Sequence, residues 1–90
     1  MITIHKYKLE VTDDLQLLEL PDMPPIGAQI LHADMQGGDL CLWVEVDTDL
    51  PLEARVFQVI GTGHKVPYSS WHIRTVVSPP FVWHIYEQDI

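Results

Sequence analysis

The chain has 90 residues, thirteen acids, five Lys or Arg and a net charge of −8, which gives one domain, residues 1–90, with a core that buries only about 60–65% of the unfolded surface. Eleven acids and no Lys or Arg fall within residues 10–53, against three bases and two acids in 54–90, a balance that disfavours direct binding to duplex nucleic acid or an anionic membrane. The longest uncharged stretch, residues 75–86, is shorter than the roughly 18–20 residues of a membrane helix, and the N-terminus lacks the basic start and apolar run of a secretory signal, so a cytoplasmic location is expected.

In chain order, seven short segments alternate or run apolar and are punctuated by Gly, Pro and Asp, at about 2–9, 15–20, 28–36, 39–47, 55–62, 70–78 and 81–87. They predict an all-β domain, a small antiparallel sandwich or partly open barrel of about seven strands with little or no helix. After the first strand, Asp13 and Asp14 are placed to open a short helix through Leu15, Leu17, Leu18 and Leu20, but a strand is favoured there. Residues 21–25, with three prolines, read as an extended loop.

Gly37-Gly38 between two alternating runs signals a two-residue turn, so Gln36 opposes Asp39 and the further pairs follow by counting outward. One face then carries Gln29, Leu31, Ala33 and Met35 with Leu40, Leu42, Val44 and Val46 and is the buried one. The other carries Ile30, His32 and Asp34 opposite Glu45, Trp43 and Cys41. A second hairpin, with Ser78-Pro79-Pro80 as its loop, pairs Val77 with Phe81. Its apolar face is Trp71, Ile73, Thr75, Val77, Phe81, Trp83 and Ile85; opposite lie His72, Arg74, Val76, Val82, His84 and Tyr86, with Arg74 facing His84 and His72 facing Tyr86.

The face of His72, Arg74, His84 and Tyr86 offers a guanidinium, two imidazoles and a phenol suited to a phosphate or carboxylate, although these are also ordinary residents of a solvated sheet. Gly61-Thr-Gly-His-Lys-Val-Pro67 adds His64 and Lys65 on a Gly-rich loop. Such a loop can form a backbone nest for an anion, but this one has neither Walker nor dinucleotide spacing. The acidic half, through Asp39, Trp43, Glu45, Asp47, Asp49 and Glu53, is the candidate surface for a basic or nucleic-acid-binding protein partner. Five histidines suggest metal, yet none has helical i, i+4 spacing and no His-x-His lies on a strand, so no metal site and no cofactor is expected. With Cys41 alone there is no intramolecular disulfide, and acids beside it disfavour a thiolate nucleophile. Neither Ser69, Ser70 nor Ser78 sits in a nucleophile elbow.

Ile4-His-Lys-Tyr7, Ala28-Gln-Ile-Leu-His32, Cys41-Leu-Trp-Val-Glu-Val-Asp47, Ile60-Gly-Thr-Gly-His64 with Pro67, and Val82-Trp-His-Ile-Tyr-Glu87 together resemble a family of small uncharacterised proteins encoded by bacteriophages, prophages and bacteria. The resemblance spans nearly the whole chain and carries no catalytic roles. It implies a phage-type protein in a bacterial cytoplasm, where proteins that counter host immunity are a common class. The expected function is a non-enzymatic binding protein, readily oligomeric at this size, that sequesters a nucleotide-like signal or blocks a host defence protein. The alternative is a structural or assembly accessory of a phage particle.

Overall fold

Strict alternation of apolar and polar side chains lets a strand bury one face only, so a chain built of such strands must stack two sheets face to face. A computed structural model, which describes residues 1–24 and 27–89, shows that arrangement. Its strands are β1 (Ile2–Leu9), β2 (Gln16–Pro21), β3 (Gln29–Gln36), β4 (Asp39–Asp47), β5 (Leu52–Gly61), β6 (Ser70–Ser78) and β7 (Phe81–Gln88). One sheet has the order β1-β4-β3 and the other β2-β5-β7-β6, every pairing being antiparallel. Both sheets are open, which makes the domain a sandwich and not a closed barrel. Residues 16–21 take the strand alternative over the helix, and Pro21 ends that strand opposite Leu52. The loop expected over 21–25 therefore begins one residue later, and its last position, Pro25, lies outside the described residues. No helix long and apolar enough to cross a membrane is present among the described residues.

The core lies between the sheets. Leu9, Ala33, Leu40, Leu42, Val44 and Val46 point inward from the first sheet and Phe57, Val59, Val76 and Ile85 from the second. Phe57, Leu42, Val44 and Ile85 are fully enclosed. Burial of a Val, Leu, Ile or Phe side chain contributes roughly 1.5–3 kcal/mol, so this cluster is the main attraction holding the two sheets together.

Gly37 and Gly38 adopt φ of 58° and 86°, as a two-residue turn with a left-handed first and second residue requires. From that turn Gln36 faces Asp39, Met35 Leu40, Asp34 Cys41, Ala33 Leu42 and His32 Trp43. Beyond His32 the register expected from the sequence fails. Leu31 is an extra, unpaired residue, so Ile30 faces Val44 and packs on the core, and Gln29 faces Glu45. A bulge here puts Leu31 outside and corrects the expected facing of residues 29–31.

The second hairpin is also corrected. Pro79 and Pro80 alone form its turn, so Ser78 pairs with Phe81, Val76 with Trp83 and Thr75 with His84. The slide is absorbed at Ile73, which bulges so that His72 faces Tyr86 as expected. Between the bulge and the turn the faces are exchanged. Val76 enters the core, and Thr75 and Val77 look outward, because a shorter loop advances β6 by one residue against β7. Both bulges lie on β3 and β6, the edge strands that approach one another along one side of the sandwich.

Candidate functional site

β5 and β6 are parallel neighbours of the same strand β7, so the segment joining them must travel the length of β7. It leaves at Gly61, opposite Trp83, and arrives at Ser70, opposite Gln88. Residues 62–69 do this as a strap across the outward face of the four-stranded sheet. The strap starts with a tight turn in which the His64 N–H donates to the Gly61 carbonyl at 3.0 Å and Gly63 takes φ of 90°, a backbone that only glycine adopts without strain. Because that amide is already bonded within the turn, the nest expected at Gly61-Thr-Gly-His has one donor fewer to offer. The strap's far end is tied by the Ser70 hydroxyl to the Pro67 carbonyl at 2.5 Å.

Under the strap, Ile60 on the outer face is buried and His84 is half-buried. His84 Nε2 is 2.8 Å from the Thr62 hydroxyl and Nδ1 is 3.1 Å from Thr75 Oγ1. Thr75 Oγ1 in turn is 2.8 Å from His72 Nε2, and the His72 ring meets Tyr86 edge-on at 5.4 Å. A hydroxyl has one proton, so this chain has a sense. Either Thr75 donates to His72 and accepts from His84, or it donates to His84 and accepts from His72. The network connects the strap to the edge strand and fixes the orientation of both imidazoles.

Two clefts flank the strap. One of about 660 Å³ is lined by Asp13, Gln58, Val59, Ile60, His64, Lys65, Pro67 and the fully exposed Tyr68. The other, of about 480 Å³, is lined by Gly61, Thr62, His64, Pro80, Phe81, Val82 and Trp83. Of the residues singled out from the sequence, His64, Lys65, His72, His84 and Tyr86 therefore belong to one surface. Arg74 does not. Its guanidinium donates to the Ile73 carbonyl at 2.7 Å and to the Ile30 carbonyl of β3 at 3.1 Å, tying the two bulged edges together. The expectation that it faces His84 on the ligand surface is corrected by the slide in register described above.

The acidic candidates do not form a uniform surface. Asp39, Trp43, Glu45 and Asp47 share the outward face of the three-stranded sheet, but β1 places Lys6 opposite Trp43 and Lys8 opposite Cys41 on that face. Lys8 lies 3.4 Å from Asp39. Lys6 reaches across β4 to Gln36 at 2.8 Å, and Cys41, between Lys8 of β1 and Asp34 of β3 in register, is buried. His32 rests against the Trp43 ring at 5.7 Å, with Nε2 3.6 Å from Asp34. Asp47 and Asp49 both bind the Met1 ammonium, at 3.1 and 2.9 Å. The Asp49 amide, and then that ammonium, hold the Asp47 carboxyl below its usual range.

Glu53 lies on a third cleft of about 830 Å³, lined also by Glu45, Trp71, Asp22, Arg55 and Glu87. Sequence reasoning missed its centre. Arg55 on β5 donates from Nε and Nη2 to the two Glu87 oxygens, both at 2.7 Å, and from Nη1 to the Ala28 carbonyl at 3.0 Å. Asp22 is 3.8 Å away, and its Oδ1 accepts the Ala28 N–H at 2.8 Å. Glu87 above all, with Asp22 behind it, raises the pKa of the guanidinium from its ordinary value. Asp22 and Glu87 are both buried, so this fork satisfies two charges that would otherwise be costly, and its evident work is to fasten Asp22 and Ala28 onto the sheet.

Residues 1–90 match the family described as a domain of unknown function (DUF7352), and the chain belongs to that family. No curated protein and no solved structure matches it.

Proposed function

We propose that this domain is a non-enzymatic binding protein that holds a small phosphate- or carboxylate-bearing molecule at the strap, with Lys65 and His64 as the first contacts and His84, His72 and Tyr86 behind them. One observation carries this reading. Among the described residues, four of the five Lys and Arg side chains are already committed, Lys6 to Gln36, Lys8 to Asp39, Arg55 to Glu87 and Arg74 to two carbonyls. Lys65 alone has no ion pair or side-chain hydrogen bond there, and it lines a cleft of ligand size. A cation on a loop over a rigid sheet is where an anion gains most and the fold loses least.

The setting suggested by the resemblance is a phage-encoded protein in a bacterial cytoplasm, for which sequestering a nucleotide-like messenger of host defence is the fitting role. Blocking a host protein through the acidic face is the weaker reading, because Lys6 and Lys8 interrupt that face. Thermal-shift measurements with a panel of mononucleotides, dinucleotides and cyclic nucleotides test the ligand reading. At least one should raise the melting temperature of the wild type and of Arg74→Ala, and fail to raise that of Lys65→Ala. If no compound shifts the wild type, or if Lys65→Ala responds equally, the reading is wrong.

A further inference from the structure

The cleft of about 480 Å³ and the Lys65 cleft share His64, and the former has an aromatic floor. Phe81 opens β7 directly after the Pro79-Pro80 turn and stacks on Trp83, with ring centroids 5.2 Å apart and planes 22° from parallel. Trp83 is itself packed against the core, so it holds Phe81 from behind. Phe81 nevertheless keeps 55% of its surface exposed, and nothing in the described fold covers it. Gly61 contributes to the same opening. A Cβ there would touch both the His64 ring and the Trp83 ring at 3.5 Å, so the bare glycine keeps clear the gap between imidazole and indole.

We infer that Phe81, backed by Trp83, is a stacking platform for a planar ring, and that the ligand of the strap is accordingly a nucleotide, its base on Phe81 and its phosphate toward His64 and Lys65. The inference rests on the anion reading above and adds to it the class of molecule. A ring already stacked on an immobile partner loses little freedom when a second ring joins it, and stacking of this kind tolerates any base, because every base has a π-face. Specificity for a particular base would then fall to polar groups on the cleft wall, the Thr62 hydroxyl and the His64 imidazole.

Isothermal titration of the wild-type chain and of Phe81→Leu with adenosine 5′-monophosphate, ribose 5-phosphate and adenosine tests it. Leucine keeps apolar cover over Trp83 and removes only the aromatic face. The wild type should bind the nucleotide about tenfold or more tightly than ribose 5-phosphate, and Phe81→Leu should bring the nucleotide down to the sugar phosphate's level without changing the latter. Equal affinity for the two in the wild type, or an unchanged nucleotide affinity in Phe81→Leu, removes the shelf and leaves the anion site standing. Adenosine binding as tightly as its phosphate removes the anion site and leaves the shelf. Absence of binding by all three overturns both.

Discussion

Arg55 and Lys65 carry the same charge to opposite ends. Arg55 is four-fifths covered and gripped by Glu87, Asp22 and the Ala28 carbonyl, and neither carboxylate can be left alone in that setting. Arg55→Met should therefore destabilise the domain by about 2–4 kcal/mol at neutral pH in urea denaturation, with the deficit shrinking in acid as protonation removes the uncompensated charges. Lys65→Ala should leave stability unchanged within about 0.5 kcal/mol while losing ligand binding, because it exchanges an exposed side chain with no partner among the described residues. Arg74→Ala is the contrasting case: it should cost about 1 kcal/mol in the same denaturation experiment by freeing two carbonyls at the strand edges, and should not touch the ligand. His64, Lys65, His72 and His84 were legible as a group because loop and strand signals lie in their immediate neighbours. The Arg55 fork was not, since its partners are 27 and 32 positions away and no local pattern marks which strand, here β7, lies beside β5.

At the scale of the element, the strands were legible almost throughout, because alternation and Gly or Pro punctuation are local properties. Five pairs of the first hairpin followed correctly from Gly37-Gly38. The bulge at Leu31 did not, because Ile30 and Leu31 are both aliphatic and either satisfies an apolar inward position. Likewise Ser78-Pro79-Pro80 leaves a two-residue and a three-residue turn equally consistent with the flanking apolar run, and one residue of slide decides which of Thr75 and Val76 is buried. The first turn is the one whose geometry the sequence dictated most directly. An alanine Cβ at Gly38 meets nothing within 4 Å, but φ there is 86°. Gly38→Ala should accordingly destabilise by about 1–2 kcal/mol through backbone strain alone, read as a shift in urea midpoint with an unchanged slope.

For the molecule as a whole, the sequence divides into an acidic stretch and a mildly basic one, and folding partly undoes that division. β1 returns Lys6 and Lys8 to the face of Trp43 and Glu45, while Asp22, Glu45, Glu53 and Glu87 gather at the cleft around Arg55. The strap, on the outer face of the opposite sheet, keeps Lys65, His64, His72 and His84 together with only Asp13 as a lining carboxylate. Two outward faces looked comparable in sequence; in three dimensions, among the described residues, only one has a chain segment arched across it, a committed hydrogen-bond network beneath and an uncommitted cation at its rim. Backbone amide chemical-shift mapping during titration with adenosine 5′-monophosphate tests that claim most directly. Shifts should concentrate in residues 61–68 and 81–86, with Gly61, His64, Lys65 and Phe81 among the largest. Shifts centred instead on Asp22, Glu53, Arg55 and Trp71, or none at millimolar nucleotide, would contradict the assignment of the strap as the binding site.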